Sequence, residues 1–280
     1  MSDRSPTESV LESTRDIDRW STEEIVRVIH EEDRNAYAAV TAALPRITEA
    51  AEVLAHTLGG GGTWFNVGAG TSGRIGALDA AEVPPTFGLP RHRVQAVVAG
   101  GEAALVRAIE GAEDNGERAV FELQQRGLAA GDSVVALSAS GKTPFALAAL
   151  EVAHEVGART IAVSCNPESP LAEAAEIPIV IRVGPEVIAG STRMKGGLAQ
   201  KMVMHLLSTT VMVRLGYVSG NLMANLVPAS AKLRDRAVRI LMALGQLDRT
   251  RAQDLLDACD GDVSEASRRA QEALSQRGPE

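Results

Sequence analysis

The 280-residue sequence predicts an α/β fold: a parallel sheet covered by helices on both faces, with extra helices before it and a small helical appendage after it. Three observations predict this. Short β-branched runs alternate with helical stretches between Trp64 and Ile181. Apolar residues make up 45% of the chain but aromatics only 3%, so the core is aliphatic, which suits helices packed on a sheet better than a β-sandwich. Two turns rich in glycine and hydroxyls each follow a predicted strand and open a predicted helix, where open parallel sheets hold ligands.

Residues 1 to 19 are polar and weakly patterned and read as an arm. Ser21-Thr22-Glu23-Glu24 is a capping box, so a helix of about three turns follows, with Ile25, Val28 and Ile29 on its buried face. A second helix is expected from about Asn35 to Leu58, bent or divided at Pro45 and ended by Gly59 to Gly62. Five strands follow: Trp64 to Val67, Val94 to Val98, Ser133 to Leu137, Thr160 to Val163 and Ile177 to Ile181. The helix after the first strand is expected to stop at Pro84-Pro85.

A long helix is predicted from about Thr192 to Leu215, with Met202, Val203, Leu206, Leu207, Val211 and Met212 on its apolar face. Gly220-Asn221-Leu222 reads as a loop. From about Ser230 the chain is helical and charged; Gly245 and Asp260-Gly261-Asp262 divide it into helices too short for a core of their own. The boundaries are 1–58 for the arm and N-terminal helices, 59–228 for the sheet domain and 229–280 for the helical C-terminal region.

Charge and composition exclude several classes. The net charge is −8 and no basic stripe is present, so nucleic acid is not an expected partner. A phosphate site would have to be made locally from amides, hydroxyls and a few cations. Cys165 and Cys259 are too few for a disulfide scaffold or a structural zinc site. His30, His56, His92, His154 and His205 are not paired at metal-ligand spacing and read as structural or surface residues. Met1 to Ser5 are polar and lead into no apolar segment, and no run reaches the ~18 apolar residues of a membrane span. The expectation is a cytoplasmic protein with no membrane association.

Four constellations could carry chemistry. In Gly68-Ala69-Gly70-Thr71-Ser72-Gly73 the glycines let backbone approach a ligand, and the helix start offers free N–H groups to an anion. The pattern also fits a dinucleotide turn, but no acidic residue ends the second strand to hold a ribose. A tight turn with no ligand fits the same residues. Ser138-Ala139-Ser140-Gly141-Lys142-Thr143-Pro144 repeats the arrangement with more hydroxyls, and an ordinary helix cap is its plain alternative. Glu82 precedes the double proline, Asp79 lies one turn earlier, and Glu110-Gly111-Ala112-Glu113-Asp114 is a second acidic cluster. Two carboxyl groups on separate loops can serve as acid and base, though a single glutamate is more often a solvated surface charge and spacing alone does not lift these above that. Finally, Ser191-Thr192-Arg193-Met194-Lys195 opens a helix with two cations in its first turn, against the helix dipole; an anionic ligand there would offset that cost.

Taken together, these residues resemble the sugar isomerase (SIS) domain family and, within it, the N-acetylmuramic acid 6-phosphate etherases. The resemblance rests on Gly68 to Arg74, Leu78 to Gly88, Glu110 to Asp114, Ser138 to Pro144, Ser164 to Pro167 and Gly190 to Lys195, with support from Ala199-Gln200-Lys201 and Gly220 to Met223. It implies a three-layer α/β/α fold of SIS type and a homodimer. It implies cleavage of the D-lactyl ether of a phosphorylated amino sugar by elimination and then hydration, without metal or organic cofactor. By position, Glu82 matches the acid that protonates the leaving ether oxygen and Glu113 the base at C2. The substrate and its phosphate would be held by Gly70, Thr71, Ser72, Gly73, Ser138, Ser140, Gly141, Lys142, Thr143, Ser191 and Lys195. The rival readings are a catalytically silent sugar-phosphate-binding regulator and an aldose–ketose isomerase on the same fold.

Overall fold

The structure, a computed structural model, describes residues Pro6 to Gln276. The first five residues of the predicted arm and the last four of the predicted tail lie outside the described residues. Five parallel strands, β1 (Trp64–Gly68), β2 (Val94–Val98), β3 (Ser133–Leu137), β4 (Arg159–Ser164) and β5 (Ile177–Val180), form one sheet in the order β2-β1-β3-β4-β5. All five predicted strands form, with ends within a residue or two of expectation. Every residue of β1 and β3 is buried, as a central strand covered on both faces requires. Pro178, which cannot donate a ladder hydrogen bond, lies on the edge strand β5.

The helices are α1 (Thr22–Gly59), α2 (Gly70–Phe87), α3 (Ala103–Val106), α4 (Gly116–Gln125), α5 (Pro144–Glu155), α6 (Pro170–Ala174), α7 (Lys195–Arg214), α8 (Ala231–Gly245), α9 (Arg249–Ala258) and α10 (Val263–Gln276). One core cluster joins Phe65, Val67, Val97, Val134, Ala136 and Ala162 of the sheet to Leu123 of α4 and Phe145, Ala149 and Leu150 of α5. The alternate residues of β1 face the other way, where Asn66 Nδ2 donates to the Gly76 carbonyl of α2 at 3.1 Å. The sheet therefore lies between two helical layers.

The chain falls into two compact units. One comprises Met1–Ala80 with His92–Val211; the other comprises Ala81–Arg91 with Met212–Glu280. In the second unit α8, α9 and α10 share a buried cluster that includes Leu226, Val238, Leu241, Leu256, Val263 and Ala266. This corrects the expectation that the tail is too short for a core. Each helix is short, but Ser230, Asp248 and Asp262 cap them, and three amphipathic faces pool their apolar residues.

Three further expectations are corrected. The two predicted N-terminal helices are one, 38 residues long, running unbroken through Pro45. The predicted capping box at Ser21 forms, but Ile25, Val28 and Ile29 are only half-buried; full burial begins at Ala36 and recurs at Val40, Ala43, Ile47, Ala50 and Leu54. Sustained i, i+3/i+4 burial against the first unit outweighs the one hydrogen bond that Pro45 cannot make. The helix after β1 passes through Pro84 and Pro85 to Phe87, and the Gly88 N–H then caps the Pro84 carbonyl at 2.8 Å. The arm is not detached: Thr7 and Thr14 are buried, and Thr14 Oγ1 donates to the Val187 carbonyl at 2.9 Å.

Candidate active site

Strand order reverses beside β1. From β1 the chain goes to β2 on one side and then returns to β3 on the other, and Gly68 and Leu137 are register partners at the carboxyl ends of β1 and β3. This is the switch point of an open parallel sheet, where the two following loops diverge and leave a crevice. The two glycine- and hydroxyl-rich turns are those loops.

In the first, packing explains two glycines and leaves the third open. A Cβ at Gly73 would lie 2.5 Å from the Gly68 carbonyl oxygen, and one at Gly68 would lie 2.9 Å from the Gly73 nitrogen. Gly70 has φ +53° and nothing within 4 Å of its Cβ position, so its face of the turn is accessible. Thr71 is half-buried, and Ser72 Oγ donates to Gln200 Oε1 of α7 at 2.9 Å, leaving Gln200 Nε2 buried without a protein partner.

In the second loop, Thr143 stands at the N-cap of α5, but its hydroxyl does not cap that helix. It lies 2.8 Å from Ser138 Oγ, which is 3.2 Å from Ser140 Oγ and accepts the Gly141 N–H at 3.0 Å. The cap reading thus gives way to a pre-set trio of hydroxyls. Asn166 holds the loop from below, donating to the Ser140 carbonyl at 2.9 Å. Gly141, at φ +67°, sits against Ser169, whose Oγ would be 2.3 Å from a Cβ there. Lys142 is exposed.

The start of α7 packs against both loops. A Cβ on Gly197 would meet Thr71 at 3.2 Å and one on Gly196 would meet Ala139 at 3.6 Å. This helix begins at Lys195, later than predicted, and the anion at its start is the protein's own. The buried Glu186 carboxylate accepts the N–H groups of Lys195 at 3.0 Å and Gly196 at 2.9 Å. The Lys195 side chain, 2% exposed, turns to Glu32 of α1 with Nζ–Oε2 at 2.5 Å. It also lines a cleft of about 700 Å³ with Arg46 and Arg182. Ser191 is half-buried and Arg193 exposed.

Glu113 lies in a short 3-10 turn, Ala112–Asp114, on the connection leaving β2. With Gly70, Arg74, Ala99, Ile109 and Glu110 it lines a cavity of about 170 Å³ over the ends of β1 and β2. The structure thus brings Glu113 to the Gly70 turn. Glu82 is exposed on α2, between buried Asp79 and Val83, and belongs to the second compact unit. A further cleft of about 600 Å³ is lined by the second unit alone, through Phe87, Tyr217, Arg234 and Asp262. Neither of the larger clefts holds the hydroxyl trio or Glu113; the smaller cavity holds Glu113, and the trio lies on the loop after β3.

Asp79, Glu186 and Gln200 have roles that spacing did not announce. Asp79 is 5% exposed and accepts the Ser208 hydroxyl of α7 at 2.8 Å, while its second oxygen has no partner. Burial raises its carboxyl from 3.8 to about 6, against the lowering effects of the Ser208 hydrogen bond and the Lys201 charge. Below about pH 4 the group is protonated folded or unfolded and contributes nothing. As pH rises the unfolded chain loses its proton first, and above about pH 6 the full cost of the buried ion, about 3 kcal/mol, weighs on the fold. The expected result is a wild-type stability that falls relative to Asp79→Asn across that window, read from urea midpoints at each pH. Burial and the nearby Glu186 push the Cys165 thiol up to about 12, so it is no nucleophile at neutral pH.

Comparison with known proteins places this geometry. The sequence profile of the glucokinase regulatory protein N-terminal SIS domain matches residues 46–154, and that of the SIS domain matches residues 124–210. An N-acetylmuramic acid 6-phosphate etherase of Symbiobacterium thermophilum is 48% identical over 93% of this chain and 86% of its own length. N-acetylmuramic acid 6-phosphate etherase 1 of Enterococcus faecalis is 45% identical over 93% of this chain and 87% of its own. The chain belongs to the N-acetylmuramic acid 6-phosphate etherase family. Membership of the etherase family accords with its fold neighbours. A phosphoheptose isomerase of Francisella tularensis superposes with a TM-score of 0.53 at 18% identity, over 69% of this chain and 98% of that one. A protein of E. coli CFT073 does so with a TM-score of 0.53 at 19% identity, over 72% of this chain and 97% of that one. At such identities these two speak for the SIS-type three-layer fold. Among the described residues no helix is long and apolar enough to cross a membrane.

Proposed function

We propose that this chain is a carbon–oxygen lyase that cleaves the D-lactyl ether of N-acetylmuramic acid 6-phosphate, giving N-acetylglucosamine 6-phosphate and D-lactate. The observation that carries the proposal is kinship of 48% identity over 93% of the chain with a protein of that name. The proposed chemistry begins at C2, whose proton is weakly acidic. Glu113 removes it, the electron pair forms a C2–C3 double bond, and the C3–O bond breaks. Glu82 gives a proton to the departing oxygen, releasing D-lactate. Water then adds at C3 and C2 regains a proton, which restores the saturated sugar and both carboxyl groups to their starting states. A weakly acidic C–H and a poor leaving group each need a positioned partner, and the two glutamates supply them.

We assign the phosphate to the hydroxyls of Ser138, Ser140 and Thr143 with the amides of the turn Gly70 to Ser72; the exposed Lys142 adds a positive charge, while the Gly141 and Lys142 N–H groups hold the hydroxyls of Ser138 and Ser140. Lys195, held by Glu186 and Glu32, sets the start of α7, whose next two glycines abut both loops, and Ser191 lies in the segment that leads into it. No metal or organic cofactor has a step in this scheme. The regulator reading draws on the glucokinase regulatory protein profile, but that match covers residues 46–154 only, whereas the etherase kinship covers nearly the whole chain.

Incubation of the chain with N-acetylmuramic acid 6-phosphate and assay of D-lactate tests the proposal. Release supports the lyase; tight binding without release supports the regulator; conversion of another phosphosugar without lactate supports an isomerase. The proposal extends to a cytoplasmic homodimer. Val26, Tyr37 and Leu44 are 62%, 68% and 43% exposed and fall on one stripe of α1, with Asp33 between the first two, and a second copy would cover them. Sedimentation at micromolar concentration should give twice the chain mass, and the Tyr37→Glu variant should shift it toward monomer; a monomeric wild type would refute the dimer.

A further inference from the structure

We infer that Arg74 is the residue that recognises the carboxylate of the lactyl group, and that the cavity beside the Gly70 turn is the lactyl subsite. The inference deepens the lyase reading and rests on it for the identity of the ligand. Its geometry comes from the cavity alone. At about 170 Å³ the cavity holds roughly five or six waters, which is the size of a three-carbon acid and well short of a phosphorylated sugar. One end of the substrate fits in it, with the sugar lying over the open strand ends. Two ends of the proposed substrate are anionic, the phosphate and the lactyl carboxylate. The hydroxyl trio of Ser138, Ser140 and Thr143 suits the first, as an array of neutral donors. The second needs a charged partner.

Arg74 is the one basic side chain among the described residues that line this cavity, and two carboxylates, Glu110 and Glu113, line it too. Without Arg74 that lining would repel an acid. Yet no ion pair joins Arg74 to either glutamate: among the described residues its one side-chain hydrogen bond runs from Nη2 to the Arg107 carbonyl at 3.1 Å. That bond holds the guanidinium to the connection that carries Glu113 and leaves its remaining donors for a ligand. A carboxylate seated on Arg74 would hold the lactyl ether at the rim of the cavity, with the base Glu113 lining the same space.

The test compares wild type with Arg74→Gln and Arg74→Lys on three ligands: N-acetylmuramic acid 6-phosphate, its lactamide, and N-acetylglucosamine 6-phosphate. The expected result for Arg74→Gln is a kcat/KM for the acid lowered about 10- to 100-fold, chiefly through KM, with Arg74→Lys recovering part of it. Affinity for the lactamide and for N-acetylglucosamine 6-phosphate should stay within about twofold of wild type, which also shows that the variant folds. Equal losses on acid and amide, or weakened binding of N-acetylglucosamine 6-phosphate, would overturn the assignment and place Arg74 on the phosphate or in the fold. If wild type releases no D-lactate, the same comparison is made by calorimetry. Selective loss of the acid then upholds Arg74 while the lyase reading fails; unchanged binding of the acid overturns Arg74 as well.

Discussion

Replacing Glu82 by Gln is expected to lower D-lactate release by about 100- to 10,000-fold while N-acetylglucosamine 6-phosphate still binds. Glu82 is exposed on α2 and its side chain makes no hydrogen bond or ion pair among the described residues, so the change removes the proposed proton donor without opening the core. Glu113→Gln should lower release by a similar factor, for a different reason, and isotope exchange tells the two apart. If, as proposed, removal of the C2 proton by Glu113 precedes departure of lactate, a chain that keeps Glu113 should still exchange the C2 hydrogen with solvent deuterium when Glu82 is Gln. The Glu113→Gln variant should not. Exchange that survives in Glu113→Gln and vanishes in Glu82→Gln would reverse the roles; release unaffected by either would remove both from the chemistry.

The second large effect is on stability. Glu186→Ala is expected to cost about 3–5 kcal/mol in urea unfolding. Glu186 is fully buried, and its two oxygens accept the first two N–H groups of α7. Truncation leaves both donors unpaired at the positive end of a 20-residue helix whose start abuts both glycine- and hydroxyl-rich loops. Glu186→Gln keeps one acceptor and should lose about half as much. A loss under about 1 kcal/mol for Glu186→Ala would show that other groups satisfy those amides.

Much of the architecture was legible because it is written in local pattern. The five strands announce themselves as short β-branched runs, and the two strand-to-helix turns as glycine and hydroxyl clusters at strand ends. The capping box at Ser21 is a four-residue signal, and the structure forms it. Where expectation failed, a distant contact outweighed a local rule. Pro45 and Pro84-Pro85 argue for helix ends, but burial along α1 and the reach of α2 to Phe87 override them. The cations near Lys195 argued for an anionic ligand; the anion is Glu186, nine residues earlier in the chain, a separation at which no spacing rule connects the two. Lys195 itself is matched by Glu32, 163 residues away.

The sequence by itself determined the alternation of strand and helix, the two turns rich in glycine and hydroxyls at strand ends and the presence of glutamates at 82 and 113, because these depend on residue types at short spacing. Tertiary structure alone decided the rest: strand order placed the turns on either side of the switch point, the connection from β2 brought Glu113 and Arg74 to one cavity, and Thr143 faced Ser138 instead of capping its own helix. Those outcomes depend on which distant surfaces bury one another, and burial is a property of the packed chain rather than of any window along it.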